Sequence, residues 1–186
     1  MRNQSKALTR LGSSCIFRGM MLSRFLTFVA KVTAAHVITS LLAGIVAYPL
    51  FTKDFYVGPN PIFKLFMRTE VEPDLWGHVV TWFLPALFLE GFLIAAAIYP
   101  FCDTLMLWSF GKRMLSISGL YIVFGFWAAT VAAPGTIEGL VYLRPMFTPL
   151  VHLRVQPEIM LEGLTLGALV ALWMGPPSIE SPSHSG

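Results

Sequence analysis

The chain has 186 residues, of which 55% are hydrophobic and only 12% are charged. About 25% of the residues of a soluble domain are charged, so this composition excludes a soluble globular domain, a disordered chain and a collagen-like fibre. The class that remains is an all-α integral membrane protein. The formal net charge of +3 does not indicate a nucleic-acid partner, because the Lys and Arg residues cluster near the N-terminus, where they set membrane orientation.

Residues 1–31 form a basic segment that contains six Lys or Arg residues and no acidic residue. We predict that this segment is cytoplasmic and belongs to a bacterial inner-membrane protein. Its Arg- and Ser-rich composition is also typical of a mitochondrial presequence, so an organelle membrane is the alternative. Translation from Met21 instead of Met1 leaves a basic flank as well.

Four apolar stretches follow, and each predicts a membrane-spanning helix, because a bilayer core of about 30 Å requires about 20 helical residues. The predicted spans are residues 32–52, 75–102, 114–137 and 159–175. The last is the shortest, and Pro157 before it is a typical helix start signal. We therefore predict a four-transmembrane-helix bundle over residues 32–175 and a flexible C-terminal tail over residues 176–186.

The distribution of basic residues predicts the orientation of the bundle. Eight Lys or Arg residues lie before the first span or between spans two and three, and five lie in the other loops. The positive-inside rule then places both termini of this multi-pass protein in the cytoplasm. The loops of residues 53–74 and 139–157 are therefore expected outside.

These two loops resemble each other at one constant offset, since Pro61-Ile62-Phe63 corresponds to Pro145-Met146-Phe147. The pattern predicts a tandem repeat of two helical hairpins. A second similarity, of Leu89-Glu90-Gly91 to Leu161-Glu162-Gly163, has a shorter offset and conflicts with that register.

Small residues at four-residue spacing predict close helix packing, because association in lipid depends on van der Waals contact between backbones. Gly135 with Gly139 and Gly163 with Gly167 are the full GxxxG matches. We expect Pro134-Gly135 to kink span three or to open its backbone. Four short helices enclose little volume, so we expect a homo-oligomer or docking to other membrane subunits.

Glu90 is the acidic residue that lies deepest in a predicted span. It follows Leu75 by fifteen residues, which is about 22 Å along a helix. Ionisable residues inside the membrane are costly and are functional candidates by default. We predict that Glu90 is an ion- or proton-coupling residue. The alternative is a neutral Glu90 that is hydrogen-bonded across the bundle.

A second candidate site lies near the outer ends of the spans. His78, Glu138 and Glu162 are the candidate catalytic residues of a membrane enzyme that acts on a lipid-like substrate. Together with Asp74, which shares a helix face with His78, they are weak candidates for a metal site, because the Glu-x-x-His pairs of di-iron bundles are missing. The simpler interpretation is that these residues form a solvated, salt-bridged surface at the outer ends of the spans.

No nucleotide-binding loop and no nucleophile elbow occurs in the sequence, and we predict no cofactor. A haem held by His36 and His152 requires ligands at similar depth, which the predicted topology separates, so we expect His36 to be simply hydrogen-bonded in the bundle. The predicted function is therefore non-catalytic, in the surroundings of a lipid bilayer. The protein is either a helical-bundle subunit of a membrane complex or a small transport-type protein with an intramembrane carboxylate. The alternatives are the membrane enzyme and, third, a haem-bearing redox subunit.

Overall fold

The computed structural model describes residues 2–128 and 133–176, with side chains from Leu22 onward except that of Glu138. The regular secondary structure of these residues is entirely helical, which confirms the all-α class. The α-helices are α1 (Arg2–Ala47), α2 (Lys53–Val57), α3 (Pro73–Ile98), α4 (Cys102–Met106), α5 (Phe110–Ile122), α6 (Ile137–Tyr142) and α7 (Pro149–Trp173). There are π-helical turns at Tyr48–Thr52 and Val123–Trp127 and 3-10 turns at Ile62–Leu65 and Tyr99–Phe101. Beyond residue 176, the predicted tail lies outside the described residues.

Three helical stretches are long and apolar enough to cross a membrane, namely Leu22–Val57, Pro73–Met106 and Pro149–Trp173. They correspond to the first, second and fourth predicted spans, with different ends. α1 continues without a break through the boundary placed at residue 31. The predicted boundary between a basic segment and a span is therefore not a helix end.

α7 begins at Pro149, ten residues before the predicted start of the last span at residue 159. Thr148 is extended, with φ −61° and ψ 162°, and Pro149 follows at the start of the helix, where the missing N–H of proline costs nothing. Pro157 lies inside α7, as transmembrane helices tolerate. The longer helix moves Glu162 from one end of the span to its middle.

The predicted third span, residues 114–137, is not one continuous helix in the part of the chain that the structure describes. α5 ends at Ile122, the π-helical turn ends at Trp127, and α6 begins at Ile137. The chain turns at Pro134-Gly135, where Gly135 has φ +94°, a conformation that glycine adopts without a steric penalty. The expected opening of the backbone there is confirmed, but the count of four spans is not.

α1 and α7 lie at the centre of the bundle. α1 packs against α3 and α7, and α7 also packs against α5. Their contacts share one buried cluster that includes Val32, Ala35, Ala95, Ile117 and Leu166. Such contiguous apolar packing is what defines a common core, so the prediction of a helical bundle is confirmed.

A second buried cluster joins the segments of residues 58–72 and 134–148 at one end of the bundle, which we call the loop end. Phe63 and Phe147, which the predicted repeat places in corresponding positions, stack with ring centroids 6.5 Å apart and planes at 20°. His152 Nδ1 accepts a hydrogen bond of 3.1 Å from the backbone N–H of Gly135, which links the turn to α7. The tandem repeat itself stays a prediction.

Gly163 and Gly167 allow α5 and α7 to approach closely. A Cβ atom on Gly167 would overlap Ser118 Oγ, and one on Gly163 would overlap Ile122 Cγ1. Close packing at this GxxxG match is therefore confirmed. Gly135 and Gly139 serve a different purpose, since they lie in the turn before α6 and in α6 itself.

We expect Gly167→Ala to destabilise the bundle, because the added methyl group meets the Ser118 hydroxyl and the Met114 carbonyl oxygen, which lies 2.6 Å from the Cβ position. Overpacking of this kind costs about 1–3 kcal/mol. The measurement is the free energy of unfolding in detergent micelles. Gly119→Ala on α5 is the matched control, because no atom lies within 4 Å of its Cβ position. Equal stability of the two variants would contradict the packing described.

Candidate functional site

A groove of about 2100 Å³ runs along one side of the bundle. Trp76 and Phe83 on α3 line one side, Leu120 on α5 and Phe124 after it line the other, and residues of α1 and α7 lie between them. Most of the lining is apolar or aromatic. Ligand pockets typically have volumes of about 300–1,000 Å³, so this groove has room for a large hydrophobic molecule.

Three ionisable residues meet near the middle of the helices that bound this groove. His36 lies in the central part of Leu22–Val57. Glu90 lies halfway along Pro73–Met106, and Glu162 lies about halfway along Pro149–Trp173. The three side chains thus come from α1, α3 and α7 at a similar depth.

His36 lies between the two carboxyl groups. Its Nε2 atom is 3.3 Å from Glu90 Oε2, which is within hydrogen-bonding distance. Its Nδ1 atom is 3.8 Å from Glu162 Oε1, too far for a direct hydrogen bond. Nδ1 has no hydrogen-bond partner among the described residues. One imidazole nitrogen is therefore engaged, and the other faces a carboxyl group across a small gap.

Two hydroxyl groups complete the site. The Ser40 hydroxyl, one helical turn from His36 on α1, donates a hydrogen bond to Glu162 Oε1. Tyr121 on α5 interacts with the Glu162 carboxyl group, and its ring centroid is 6.1 Å from that of His36. We call His36, Ser40, Glu90, Tyr121 and Glu162 the His36 cluster. All four long helical segments contribute to it.

Access to the cluster differs between the two carboxyl groups. The side chain of Glu90 is 61% exposed on the groove. The side chains of His36 and Glu162 are only 3% and 13% exposed. Glu90 is therefore the group that a molecule in the groove meets first, and His36 connects it to the buried Glu162.

The glycine after each glutamate lets the helices approach. A Cβ atom on Gly91 would lie 2.9 Å from Thr33 Cα, so α3 packs closely on α1 at this point. Gly163 allows the corresponding close contact of α7 with Ile122. The Leu-Glu-Gly pattern that α3 and α7 share therefore marks the two carboxyl groups that converge on His36.

Of the predicted catalytic residues, Glu162 belongs to the His36 cluster and His78 does not. Glu162 contacts Ser40 and His36, whereas His78 lies on the exposed part of α3 with its ring 6.4 Å from that of Trp82. Asp74 is exposed in the first turn of α3, and the Glu138 side chain lies outside the described residues. Their proposed catalytic role stays a prediction.

The polar surface near the loop end contains an ion pair that the sequence did not predict. Arg154 pairs with Asp54, with Nη2 and Oδ2 3.4 Å apart. Within the described residues, no three His, Cys, Asp or Glu side chains are arranged to hold a metal ion. The absence of a cofactor also stays a prediction.

The side chains of the His36 cluster are chemically suited to proton exchange and to hydrogen bonding with a bound molecule. An imidazole can accept a proton at one nitrogen and release it from the other. Here the two nitrogens face carboxyl groups on different helices, one open to the groove and one buried. A proton could pass between Glu90 and Glu162 through this imidazole only once the 3.8 Å gap between His36 Nδ1 and Glu162 Oε1 closes to hydrogen-bonding distance.

We expect the energetic coupling of His36 and Glu90 to be measurable. In a double-mutant cycle of His36→Ala and Glu90→Gln, the two losses of unfolding free energy should differ from additivity by about 1 kcal/mol, because residues in one hydrogen-bond network couple. The cycle of His36→Ala with Glu72→Gln is the control, since Glu72 pairs with Lys64 at 3.6 Å in the loop. Additivity in both cycles would contradict the contact.

Sequence reasoning selected Glu90 and Glu162 but assigned them to different sites, and it missed Ser40 and Tyr121. The prediction that His36 is simply hydrogen-bonded in the bundle depends on the predicted topology, which separates it in depth from His152. The available signal was the repeated Leu-Glu-Gly pattern together with a His in a neighbouring span. Comparisons with known protein families, with curated proteins and with solved structures find no match for this chain.

Proposed function

We propose that this protein is a small transport-type membrane protein that takes a lipophilic molecule into the groove and exchanges a proton at the His36 cluster. The observation that carries the proposal is the position of His36 between Glu90 and Glu162 at the middle of three apolar helices. A site with only a structural role does not require two carboxyl groups at this depth, where an uncompensated charge costs about 2.5–3.5 kcal/mol or more.

The charge balance of the cluster supports proton exchange. Two ionised carboxyl groups and a protonated imidazole would still leave a net charge of −1 next to hydrocarbon. Binding of a proton removes that charge, and so does binding of a cation. Glu90 is the coupling residue in this proposal, as its sequence position predicts, and His36 and Glu162 extend the site away from the groove.

The groove supports a lipophilic substrate. It is lined by aliphatic and aromatic side chains over most of its length and reaches from Trp76 to Trp108. A molecule that enters it from the lipid would meet Glu90 about halfway along Pro73–Met106. Binding and proton exchange would then occur at the same place, which is the requirement for coupling them.

A second candidate function is that of a helical-bundle subunit, either in a homo-oligomer or with other membrane proteins. The observation that favours it is the exposure of α3, since only 17% of its most apolar window is buried, against 39% in α7. Within a lipid bilayer such a face needs no protein partner, because lipid chains are as apolar as leucine. We therefore rank this candidate second.

The membrane enzyme acting through His78, Glu138 and Glu162 is a weaker proposal, because Glu162 is engaged with His36 and Ser40. Its lipid-like substrate class is nevertheless compatible with the groove. The bacterial inner membrane and the cytoplasmic location of both termini remain proposals, supported by the distribution of basic residues.

The test is infrared difference spectroscopy of the reconstituted protein between acidic and alkaline samples. We expect a reversible, high-frequency C=O band of the kind that a protonated carboxyl group shows away from water. Glu90→Gln and Glu162→Gln should each remove part of this band, because each removes one carboxyl group of the cluster.

Glu72→Gln is the matched control, because Glu72 is paired with Lys64 in the loop and does not line the groove. Its spectrum should keep the whole high-frequency band. The proposal fails if folded Glu90→Gln and Glu162→Gln variants both keep the band of the unsubstituted protein.

A further inference from the structure

The charged groups along the groove are mostly acidic. Within the described lining, four carboxyl groups face one guanidinium, since Glu70, Glu90, Glu158 and Glu162 are accompanied only by Arg68. Arg68 and Glu70 lie in the segment at the loop end, whereas the other three carboxyl groups lie on helices. The apolar part of the groove is therefore negatively charged wherever those groups are ionised.

A buried, incompletely bonded side chain points to a ligand in the same place. His36 is 2% exposed and lines the groove, and its Nδ1 atom has no hydrogen-bond partner among the described residues. Buried polar atoms are hydrogen-bonded in the great majority of cases. A bound molecule that draws Glu162 or a hydrogen-bonding group toward this nitrogen would complete its bonding.

Aromatic side chains surround these carboxyl groups. Ten of the described residues that line the groove are Phe, Tyr or Trp, and one of them, Tyr121, interacts electrostatically with Glu162. The faces of aromatic rings attract cations, and the attraction is stronger when the pair is removed from water. The combination of aromatic faces and acidic groups thus favours a positively charged hydrophobic molecule over a neutral or a negative one.

We infer that the molecule taken up by the groove is a lipophilic organic cation, held by Glu90 and Glu162 and by the aromatic side chains around them. This inference rests on the proposed function and adds the chemical class of the substrate. The cation would replace the proton in the cluster, because either one neutralises the same carboxyl groups. The groups that face the site are His36 on α1, Glu90 on α3, Tyr121 on α5, and Glu158 and Glu162 on α7.

The test is binding of tetraphenylphosphonium to the full-length protein in detergent, measured by equilibrium dialysis against empty micelles. Tetraphenylborate is the matched probe, because it has nearly the same size and shape and the opposite charge. We expect saturable binding of the phosphonium and at least tenfold weaker binding of the borate. Glu90→Gln should weaken phosphonium binding about tenfold or more, since loss of one partner of a charge pair commonly has a larger effect than that.

Glu72→Gln should bind tetraphenylphosphonium as the unsubstituted protein does, because Glu72 lies outside the groove. If Glu162→Gln does not fold, Glu90→Gln carries the test, since its side chain is exposed and makes few contacts. Equal binding of the two probes, or unchanged binding by folded Glu90→Gln, overturns the inference. The infrared band of the His36 cluster tests the proposed proton exchange separately, so that proposal can hold even when the inference about the cation fails.

Discussion

Ionisable groups in the middle of apolar helices need partners, and the contacts of His36 with Glu90 and Glu162 meet that need. A helix in lipid bonds its own backbone groups, but it leaves a central side-chain charge unsatisfied. Bringing α3 and α7 onto α1 places both carboxyl groups beside one imidazole. Glycines next to each glutamate permit the approach, because a methyl group at Gly91 or Gly163 would overlap its neighbours. The packing of the bundle and the chemistry of its centre thus depend on the same contacts.

The groove follows from the order in which the helices pack. α1 and α7 form the centre, while α3 packs on α1 and α5 packs on α7, so α3 and α5 bound an open space between them. Glu90 projects into this space, and His36 and Glu162 remain behind it. A molecule from the lipid can therefore reach a polar group without crossing the core. In the proposed function, substrate uptake and proton exchange would then require no large rearrangement of the bundle.

Composition and apolar length predict the all-α class and three helices that are long and apolar enough to cross a membrane, because both quantities follow directly from the thickness and apolarity of a bilayer. The ends of the spans were less predictable. Pro157 looks like a helix start, yet proline is tolerated within an apolar helix, and Pro149 is the actual start. The apolar composition of residues 114–137 predicts one continuous span, and only Pro134-Gly135 indicates that the backbone opens there. Glu90 was selected by its depth alone, whereas its pairing with His36 depends on which helices are neighbours. Tertiary packing decides which helices are neighbours, and the repeated Leu-Glu-Gly pattern marks the two carboxyl groups without identifying the helix between them.

Cross-linking between engineered cysteines tests the central claim most directly, because it distinguishes the His36 cluster from the site that the sequence first suggested. In a Cys15→Ser, Cys102→Ser background, Ser40→Cys with Glu162→Cys places thiols on two side chains that are hydrogen-bonded in the structure. His78→Cys with Glu162→Cys is the comparison pair. A short bifunctional thiol reagent applied to the protein in membranes should join the first pair and not the second. Efficient cross-linking of His78→Cys to Glu162→Cys, with none between positions 40 and 162, would contradict the account.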